Sequence, residues 1–182
     1  MQDFGNPGNY IWFNIDQVIM HEQYNSGQGT YPNGIALLKL QPNGKDITSN
    51  KIRLASGFED YAGMTCTISG WGTLVDGSSA TILNKADVLV LSRSECTVKN
   101  YWSSTQVLDK HGCVKGYDGV NGAAACNGDS GCPSMCNDVL VGATSWGLSG
   151  CHTDGTVTKP SVYARISYFY NWINSRCSNC AV

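Results

Sequence analysis

The residues with the clearest chemical potential form one octet, Cys126–Pro133, which reads CNGDSGCP. A serine between glycines, with an acid before it and a proline soon after, is how a chain presents a nucleophile on a tight loop. The flanking glycines adopt backbone angles that other residues resist, and they leave neighbouring N–H groups pointing outward. Asp-Ser in Gly-rich sequence is also ordinary turn chemistry, so the octet alone leaves an active-site loop and a plain turn open.

Four further motifs flank the octet in a fixed order. Upstream stand NGIALLKL at Asn33–Leu40 and TISGWG at Thr67–Gly72, and downstream stand VLVGATSWG at Val139–Gly147 and KPSVYAR at Lys159–Arg165. In this order the motifs resemble the trypsin/chymotrypsin-type serine peptidases, nearest the chymotrypsin-like elastases, over residues 10–175. The resemblance implies an all-β fold, a trypsin-like double antiparallel β-barrel with a short C-terminal helix.

Apolar periodicity places the elements that would position these motifs. Alternating or short apolar runs predict strands at residues 11–20, 35–40, 64–68, 86–91, 139–145 and 162–166. Residues 92–113 are polar and irregular, with one short helix expected near 94–102, and Ser167 is the expected N-cap of the C-terminal helix. The resemblance assigns residues 1–56 to the rear part of the first barrel, 57–62 to a linker, and 63–182 to the second barrel and C-terminal helix.

Composition bounds the class of protein and its partners. Charged residues are only 14% of the 182 residues and glycine occupies 21 positions, which favours short strands with tight turns. A net charge of −2 offers no basic face for nucleic acid, and no apolar run reaches membrane-spanning length. We therefore expect a monomer that binds neither nucleic acid nor membranes.

Nine cysteines indicate an oxidising, extracellular setting for a chain of this size. The resemblance implies the pairs Cys66–Cys136, Cys96–Cys113 and Cys126–Cys151. Cys132 is left over at a position where the family has glycine, and there it could strain the loop or compete for Cys136. Cys177 and Cys180 form a C-x-x-C that we expect to be paired internally, or with one partner outside the sequence.

The first residues carry no basic and apolar segments of a signal peptide. A disulfide-rich, secreted chain without an export signal is expected to lack its beginning. The first barrel is then incomplete, and its exposed strand edges would favour aggregation.

Acyl transfer by a serine needs a base, an orienting acid and donors for the oxyanion. By resemblance Ser130 is the nucleophile, and the N–H groups of Gly128 and Ser130 form the oxyanion hole. Gly34 stands where the family has the orienting aspartate. Asp129 supports the loop in active relatives by pairing with a freed N-terminal amine, so here we expect an unpaired carboxylate, protonated or turned to water, and a poorly formed oxyanion hole.

The family's catalytic histidine motif has no counterpart in this sequence. The sequence has three histidines. His21 is predicted in a surface loop, His111 on the rim of the second barrel and His152 near the substrate pocket. Only His152 is placed to be tested as a substitute base. Ser130 without a base is a weak nucleophile.

Small residues form the implied substrate pocket. Its base is Ala124, with Ala125 beside it, and its walls are Ser145, Trp146 and Gly147 on one side and Ser161 on the other. No acid lines it, and the resemblance therefore implies a preference for medium-to-large apolar side chains before the cleaved bond. The alternative is that these are simply small residues on tight strands.

Two functions follow. The first is a serine endopeptidase domain acting on peptides or proteins and open to protein inhibitors, inactive in this chain because the histidine and aspartate are lacking. The second is a non-catalytic homologue that keeps the pocket to bind peptides or proteins. Neither requires a metal or another cofactor.

Overall fold

Two β-sheets and two short helices make up this computed structural model, which describes residues 12–42, 51–98, 101–116, 123–148 and 159–177. The larger sheet forms a closed barrel, and the smaller one holds two strands. The prediction of an all-β, trypsin-like fold with a short C-terminal helix is confirmed, and the described residues form one closed six-stranded barrel and a second sheet of two strands.

The small sheet pairs β1 (Ile15–Met20) with β2 (Ala36–Leu40) in antiparallel fashion. Ile19 lies opposite Leu37, and Leu37 packs against the barrel core. Both strands lie within the predicted apolar runs. The face of the small sheet that carries Leu37 therefore packs against the barrel.

The barrel is built from seven strands, of which six close on themselves. The strands are β3 (Arg53–Leu54), β4 (Thr65–Gly70), β5 (Asn84–Leu91), β6 (His111–Gly116), β7 (Pro133–Cys136), β8 (Val139–Trp146) and β9 (Ser161–Arg165). Strand β8 pairs with β7, and the order continues through β4, β5, β6 and β9 back to β8, while β3 pairs with β8 in parallel. The core includes Val88, Val90, Val114, Val139, Val141 and Tyr163.

Strands β3, β6 and β7 were not predicted. Strand β6 reads HGCVKG and begins at the end of the stretch predicted to be irregular, residues 92–113. Its glycine, histidine and lysine residues obscure the apolar pattern of a strand. Strand β7 has four residues and begins with proline, which disfavours a strand in sequence patterns. Pairing with β4 and β8 outweighs that local signal.

The helices correct two predictions. Helix α1 covers only Arg93–Cys96 and begins with a capping box between Ser92 and Glu95, so it is shorter than expected. Helix α2 covers Ile166–Arg176, and Ser167 lies inside its first turn. The Ser167 hydroxyl donates to the Glu59 carbonyl at 3.0 Å, which connects the helix to the chain before β4. The N-cap is Arg165, whose side chain makes no capping hydrogen bond, so the prediction of Ser167 as N-cap is wrong. None of the described helices is long and apolar enough to cross a membrane.

The loop after β1 docks on helix α2. The His21 ring stacks on Trp172 at 5.1 Å between centroids and meets Phe169 edge-on at 5.6 Å. The Glu22 carboxylate accepts a hydrogen bond from Trp172 Nε1 at 3.0 Å and pairs with Arg176. The prediction of a surface His21 is therefore wrong: its side chain is 13% exposed, and burial next to Arg176 lowers its pKa.

The same loop contacts the barrel at a second point. Lys110 Nζ donates to Asn33 Oδ1 at 3.0 Å, and the Thr30 N–H donates to the Gln106 carbonyl at 3.0 Å. Asn33 is buried, and its amide also donates to the Gln23 carbonyl at 2.8 Å. These bonds fix the residue just before Gly34 relative to the barrel.

Two disulfides lie among the described residues. Cys66–Cys136 joins β4 to β7, and Cys96–Cys113 joins α1 to β6; each closed loop stabilises the fold by roughly 2–4 kcal/mol. Cys126 and Cys177 are also disulfide-bonded. Their expected partners, Cys151 and Cys180, fall outside the described residues, so those two pairings remain predictions.

His111 was predicted on the barrel's rim, but it is 6% exposed. Its Nδ1 accepts the Leu108 N–H at 3.1 Å, and its ring meets Trp146 edge-on at 6.0 Å. Burial, together with the neighbouring Lys110 charge, lowers the pKa of His111 to about 4. The ring is therefore neutral at pH 7.

The buried His111 should make stability depend on pH. In the unfolded chain a histidine has a pKa of about 6.5, so between pH 6.5 and pH 4 the unfolded chain binds a proton that the folded chain does not. The free energy of unfolding is therefore highest above pH 6.5 and falls as the pH falls towards 4. We expect the free energy of unfolding to fall by roughly 2–3 kcal/mol across this range on account of His111. Urea denaturation at several pH values, compared with His111→Gln, measures this contribution. Parallel pH curves for the two proteins would contradict it.

Candidate active site

The Ser130 loop is held by its own backbone and by β8. The Asp129 N–H donates to the Cys126 carbonyl at 3.0 Å, and the Gly131 N–H donates to the Thr144 carbonyl at 2.9 Å. Gly128 has φ +95°, a left-handed angle that favours glycine. The loop is thus a tight turn anchored on a barrel strand, with Ser130 exposed.

The Asp129 carboxylate is paired with backbone amides, which corrects the prediction of an unpaired acid. Oδ1 accepts the Gly72 N–H at 2.8 Å, and Oδ2 accepts the Cys126 N–H at 2.9 Å. The prediction that Asp129 turns to water is therefore wrong. The expectation of a poorly formed oxyanion hole rested on an unpaired Asp129, and the structure does not support that premise.

Two glycines of the chain before β5 make room for this carboxylate. A Cβ atom at Gly70 would lie 2.0 Å from Asp129 Oδ1, and one at Gly72 would lie 2.4 Å from Oδ2. No real Cβ makes such contacts, so a side chain at either position must displace the acid. The TISGWG motif therefore contains glycine because the carboxylate approaches its backbone.

The two N–H groups implied in the oxyanion hole stay available. Among the described residues, the N–H groups of Gly128 and Ser130 donate to no protein acceptor, whereas those of Asp129 and Gly131 do. Two free donors that are two residues apart on one loop are suited to bind an oxygen that develops negative charge.

A cavity of about 590 Å³ lies between the small sheet and the barrel. Ser130 lines it, together with Gly34 from the small sheet's side and Ser145 from β8. A Cβ atom at Gly34 would lie 3.3 Å from Ser145 Oγ. The structure thus brings Ser130, the predicted nucleophile, and Gly34, predicted to stand where the family has aspartate, to one cavity, and none of the described lining residues is a histidine.

The implied substrate-pocket residues are only partly brought together. Ser161 Oγ accepts the Ala125 N–H at 3.1 Å, and a Cβ at Gly147 would lie 3.8 Å from Ser161 Cα. Ala124 and Ala125 also line a separate cavity of about 110 Å³ beside Asp129. His152, the histidine expected near the pocket, lies outside the described residues.

Trp102 contacts a predicted pocket residue, Trp146, and was not identified from the sequence. Trp146 packs edge-on against Trp102 with ring centroids 4.8 Å apart, and Trp102 Nε1 donates to the Pro160 carbonyl at 2.9 Å. Lys159 Nζ lies 4.5 Å from the centroid of the Trp102 ring. A single tryptophan in a polar loop gave no periodic signal that could have found it.

Cys132 holds the one thiol left unbonded among the described cysteines. Its sulfur lies 3.2 Å from the position of a Cβ at Gly70, close to the Asp129 carboxylate. Burial and the Asp129 charge raise the pKa of this thiol. Cys136 is bonded to Cys66, so Cys132 does not displace Cys66 as the partner of Cys136.

Gly72→Ala should separate the acid from its amide donor. The new methyl group overlaps the Asp129 carboxylate, so we expect a loss of roughly 1–3 kcal/mol in the free energy of unfolding. Gly112→Ala in β6 is the matched control, because a Cβ there meets nothing within 4 Å. Equal denaturation midpoints for the two variants would show that Asp129 does not depend on this contact.

Comparisons with known proteins agree with this architecture. A family model described as Trypsin matches residues 5–173. The chain is 39% identical over 178 residues to the fibrinolytic enzyme, isozyme C, of the earthworm Lumbricus rubellus, and the match covers 90% of this chain and 70% of that protein. It is 36% identical to the trypsin Blo t 3 of the mite Blomia tropicalis, covering 88% of the chain and 59% of that protein.

A solved structure of mouse neuropsin, a serine protease expressed in the limbic system of the brain, has a TM-score of 0.76 at 32% identity. The match covers 90% of this chain and 71% of the neuropsin chain. The chain spans less than two thirds of the mite trypsin, and 58% of the trypsin zeta of Drosophila melanogaster. The family model and the fold agree, and the chain belongs to the trypsin family of serine proteases.

Proposed function

We propose that this chain is a serine endopeptidase domain whose nucleophile is Ser130, and that it reacts slowly because its site lacks a base. The observation that carries the proposal is the cavity of about 590 Å³ that Ser130 shares with Gly34 and Ser145. A peptide carbonyl in that cavity would meet the Ser130 hydroxyl and the free N–H groups of Gly128 and Ser130.

The proton on Ser130 limits the reaction. When Oγ attacks a carbonyl carbon, its proton must pass to a base, and the described lining of the cavity contains no histidine or carboxylate. Gly34 has no side chain that could orient a base. Loss of the acid alone costs on the order of 10⁴ in rate in a related triad, and loss of the base costs about 10⁶.

The preferred side chain before the cleaved bond is apolar. Ala125 and Ser161 are in contact, and Gly147 lies opposite Ser161 without a side chain that would narrow the entrance. None of these residues is charged, so lysine or arginine would gain no ion pair there. Leu, Met, Phe and Tyr fit such a surface, as in chymotrypsin-like elastases.

The cysteines support function outside the cell. Four described cysteines form two disulfides and two others are disulfide-bonded, which is typical of proteins of oxidising compartments. Peptides and proteins are the expected substrates, and protein inhibitors that enter the same cavity are the expected regulators.

A second candidate function is peptide binding without catalysis. Gly34 favours it, because the family's acid is absent while Ser145 and the Asp129 pairing are kept. A site that keeps its shape and lacks its proton acceptor can still bind a peptide.

Labelling with a fluorophosphonate tests the reactivity of Ser130. Without a base, the rate should be at least about 10⁴-fold below that of a trypsin-family enzyme with a complete triad, and Ser130→Ala should remove the slow label. Intact mass spectrometry measures both rates. Labelling at the speed of the complete enzyme would contradict the impaired reaction, and complete inertness would favour the binding function.

Small ligands test the pocket independently of catalysis. Because no acid is present in the described pocket, indole should bind at least about tenfold more tightly than benzamidine, which needs a counter-charge. Gly147→Val narrows the entrance and should weaken indole, as measured by isothermal titration calorimetry. Tighter binding of benzamidine would contradict the apolar preference.

A further inference from the structure

Two Asn-Gly pairs lie among the described residues, Asn33 with Gly34 and Asn127 with Gly128. In such a pair the glycine amide nitrogen can attack the side-chain carboxamide carbon of the asparagine, because glycine has no Cβ to obstruct the approach. Two further pairs, at residues 43–44 and 121–122, fall outside the described residues. The two described pairs have the same chemistry in different surroundings, so the structure allows them to be compared.

The reaction of such a pair is a ring closure that releases ammonia. A bond forms between the glycine nitrogen and the asparagine Cγ, the Cγ–Nδ2 bond breaks, and the proton of the glycine N–H leaves with the ammonia. Water then opens the resulting succinimide ring at either carbonyl. One opening gives aspartate, and the other gives isoaspartate, in which the main chain runs through Cγ and is one carbon longer. The reaction requires only water.

Asn33 is protected by burial. It is 4% exposed, its Nδ2 donates to the Gln23 carbonyl at 2.8 Å, and its Oδ1 accepts a hydrogen bond from Lys110 Nζ at 3.0 Å. Both bonds must break before the carboxamide can turn towards the nitrogen of Gly34, and water must enter before the ring can open. The pair at 33–34 should therefore react slowly in the folded chain.

Asn127 and Gly128 are both exposed, at the centre of the turn that the Asp129 N–H closes onto the Cys126 carbonyl at 3.0 Å. The Gly128 N–H donates to no acceptor in the described part of the chain, so its nitrogen loses no hydrogen bond when it attacks. The Asn127 carbonyl accepts bonds from the Thr73 N–H at 2.9 Å and the Thr73 hydroxyl at 3.2 Å, and these must open for the attack. Bonds at an exposed turn open more readily than bonds in a packed interior.

We propose that Asn127 is a site of spontaneous deamidation, and that the reaction weakens the Ser130 loop with time. Both products place a negative charge directly before Gly128, whose N–H is one of the two donors proposed to bind the oxyanion. Isoaspartate also lengthens the turn, which should break the bond from the Asp129 N–H to the Cys126 carbonyl. The modification requires no activity of Ser130, and only its effect on the loop rests on the proposed function.

Peptide mapping by mass spectrometry measures deamidation at each pair when the full chain is incubated at mildly alkaline pH. We expect Asn127 to react at least about tenfold faster than Asn33, because opening an exposed turn requires less free energy than exposing a buried, hydrogen-bonded side chain. In the reduced chain in urea no fold distinguishes the pairs, and the two rates should become similar. Asn127→Gln is the matched control, since glutamine must close a larger ring and reacts far more slowly.

A faster reaction of Asn127 in the folded chain that disappears in urea supports the proposal. Equal rates at Asn127 and Asn33 in the folded chain overturn it, as does an Asn127 that stays intact in the folded chain and reacts only in urea. A difference that persists in urea also overturns it, because the fold would then not be its cause.

Fluorophosphonate labelling of Asn127→Asp and Asn127→Gln tests the effect on the loop. The aspartate variant carries the charge of the product in an unaltered backbone, and we expect it to label several-fold more slowly, because a negative charge near the donors weakens their binding of a negative oxygen. Equal labelling rates overturn this effect. Failure of the proposed function would instead appear as an unmodified chain that does not label, and the mapping of deamidation decides the site in either case.

Discussion

The geometry of the site depends on one interaction, the pairing of the Asp129 carboxylate with the backbone N–H groups of Gly72 and Cys126. The residue directly before Ser130 is thereby fixed to the chain that follows β4. The carboxylate needs space as well as donors, and glycine at positions 70 and 72 supplies it, because a Cβ at either would lie within 2.4 Å of a carboxylate oxygen. An acid held by amides from two separate segments orients the whole turn, so Ser130 is presented without any contribution from the small sheet.

The small sheet is attached by fewer interactions. It packs on the barrel through Leu37, and its loop is held by the stacking of His21 on Trp172 and by the bond from Lys110 to Asn33. These contacts place Gly34 at the cavity, although no hydrogen-bonded ladder joins the two sheets in the described chain. Side-chain contacts therefore fix the position of Gly34, whereas the barrel strands fix the position of Ser130.

The sequence predicted the parts of the fold whose signal is local. Strands β2, β5, β8 and β9 have clear apolar runs, and the Cys66–Cys136 bond implied by the resemblance is present. It failed where contacts distant in sequence decide. His111 looked like a rim residue because glycine and lysine surround it, yet pairing of β6 with β5 and β9 buries it.

The same limit explains the error about Asp129. An acid in a Gly-rich loop gives no local sign of its partners, and one of them, Gly72, is 57 residues away. The resemblance supplied a different partner, an N-terminal amine, and without it the carboxylate was predicted to be unpaired. Backbone amides need no particular side chain and leave almost no trace in a sequence beyond the glycines that let them approach.

This division separates the shape of the Ser130 loop from its reactivity. The loop is stabilised by the closed barrel, the Cys66–Cys136 bond and the Asp129 pairing, none of which requires a proton acceptor. Gly34 places no charge in the cavity and contributes nothing to that support. A carboxylate at this position would lie in a cavity whose described lining holds no cationic side chain, so glycine leaves no charge there uncompensated. The shape of the loop and the presence of a base are therefore determined by different residues.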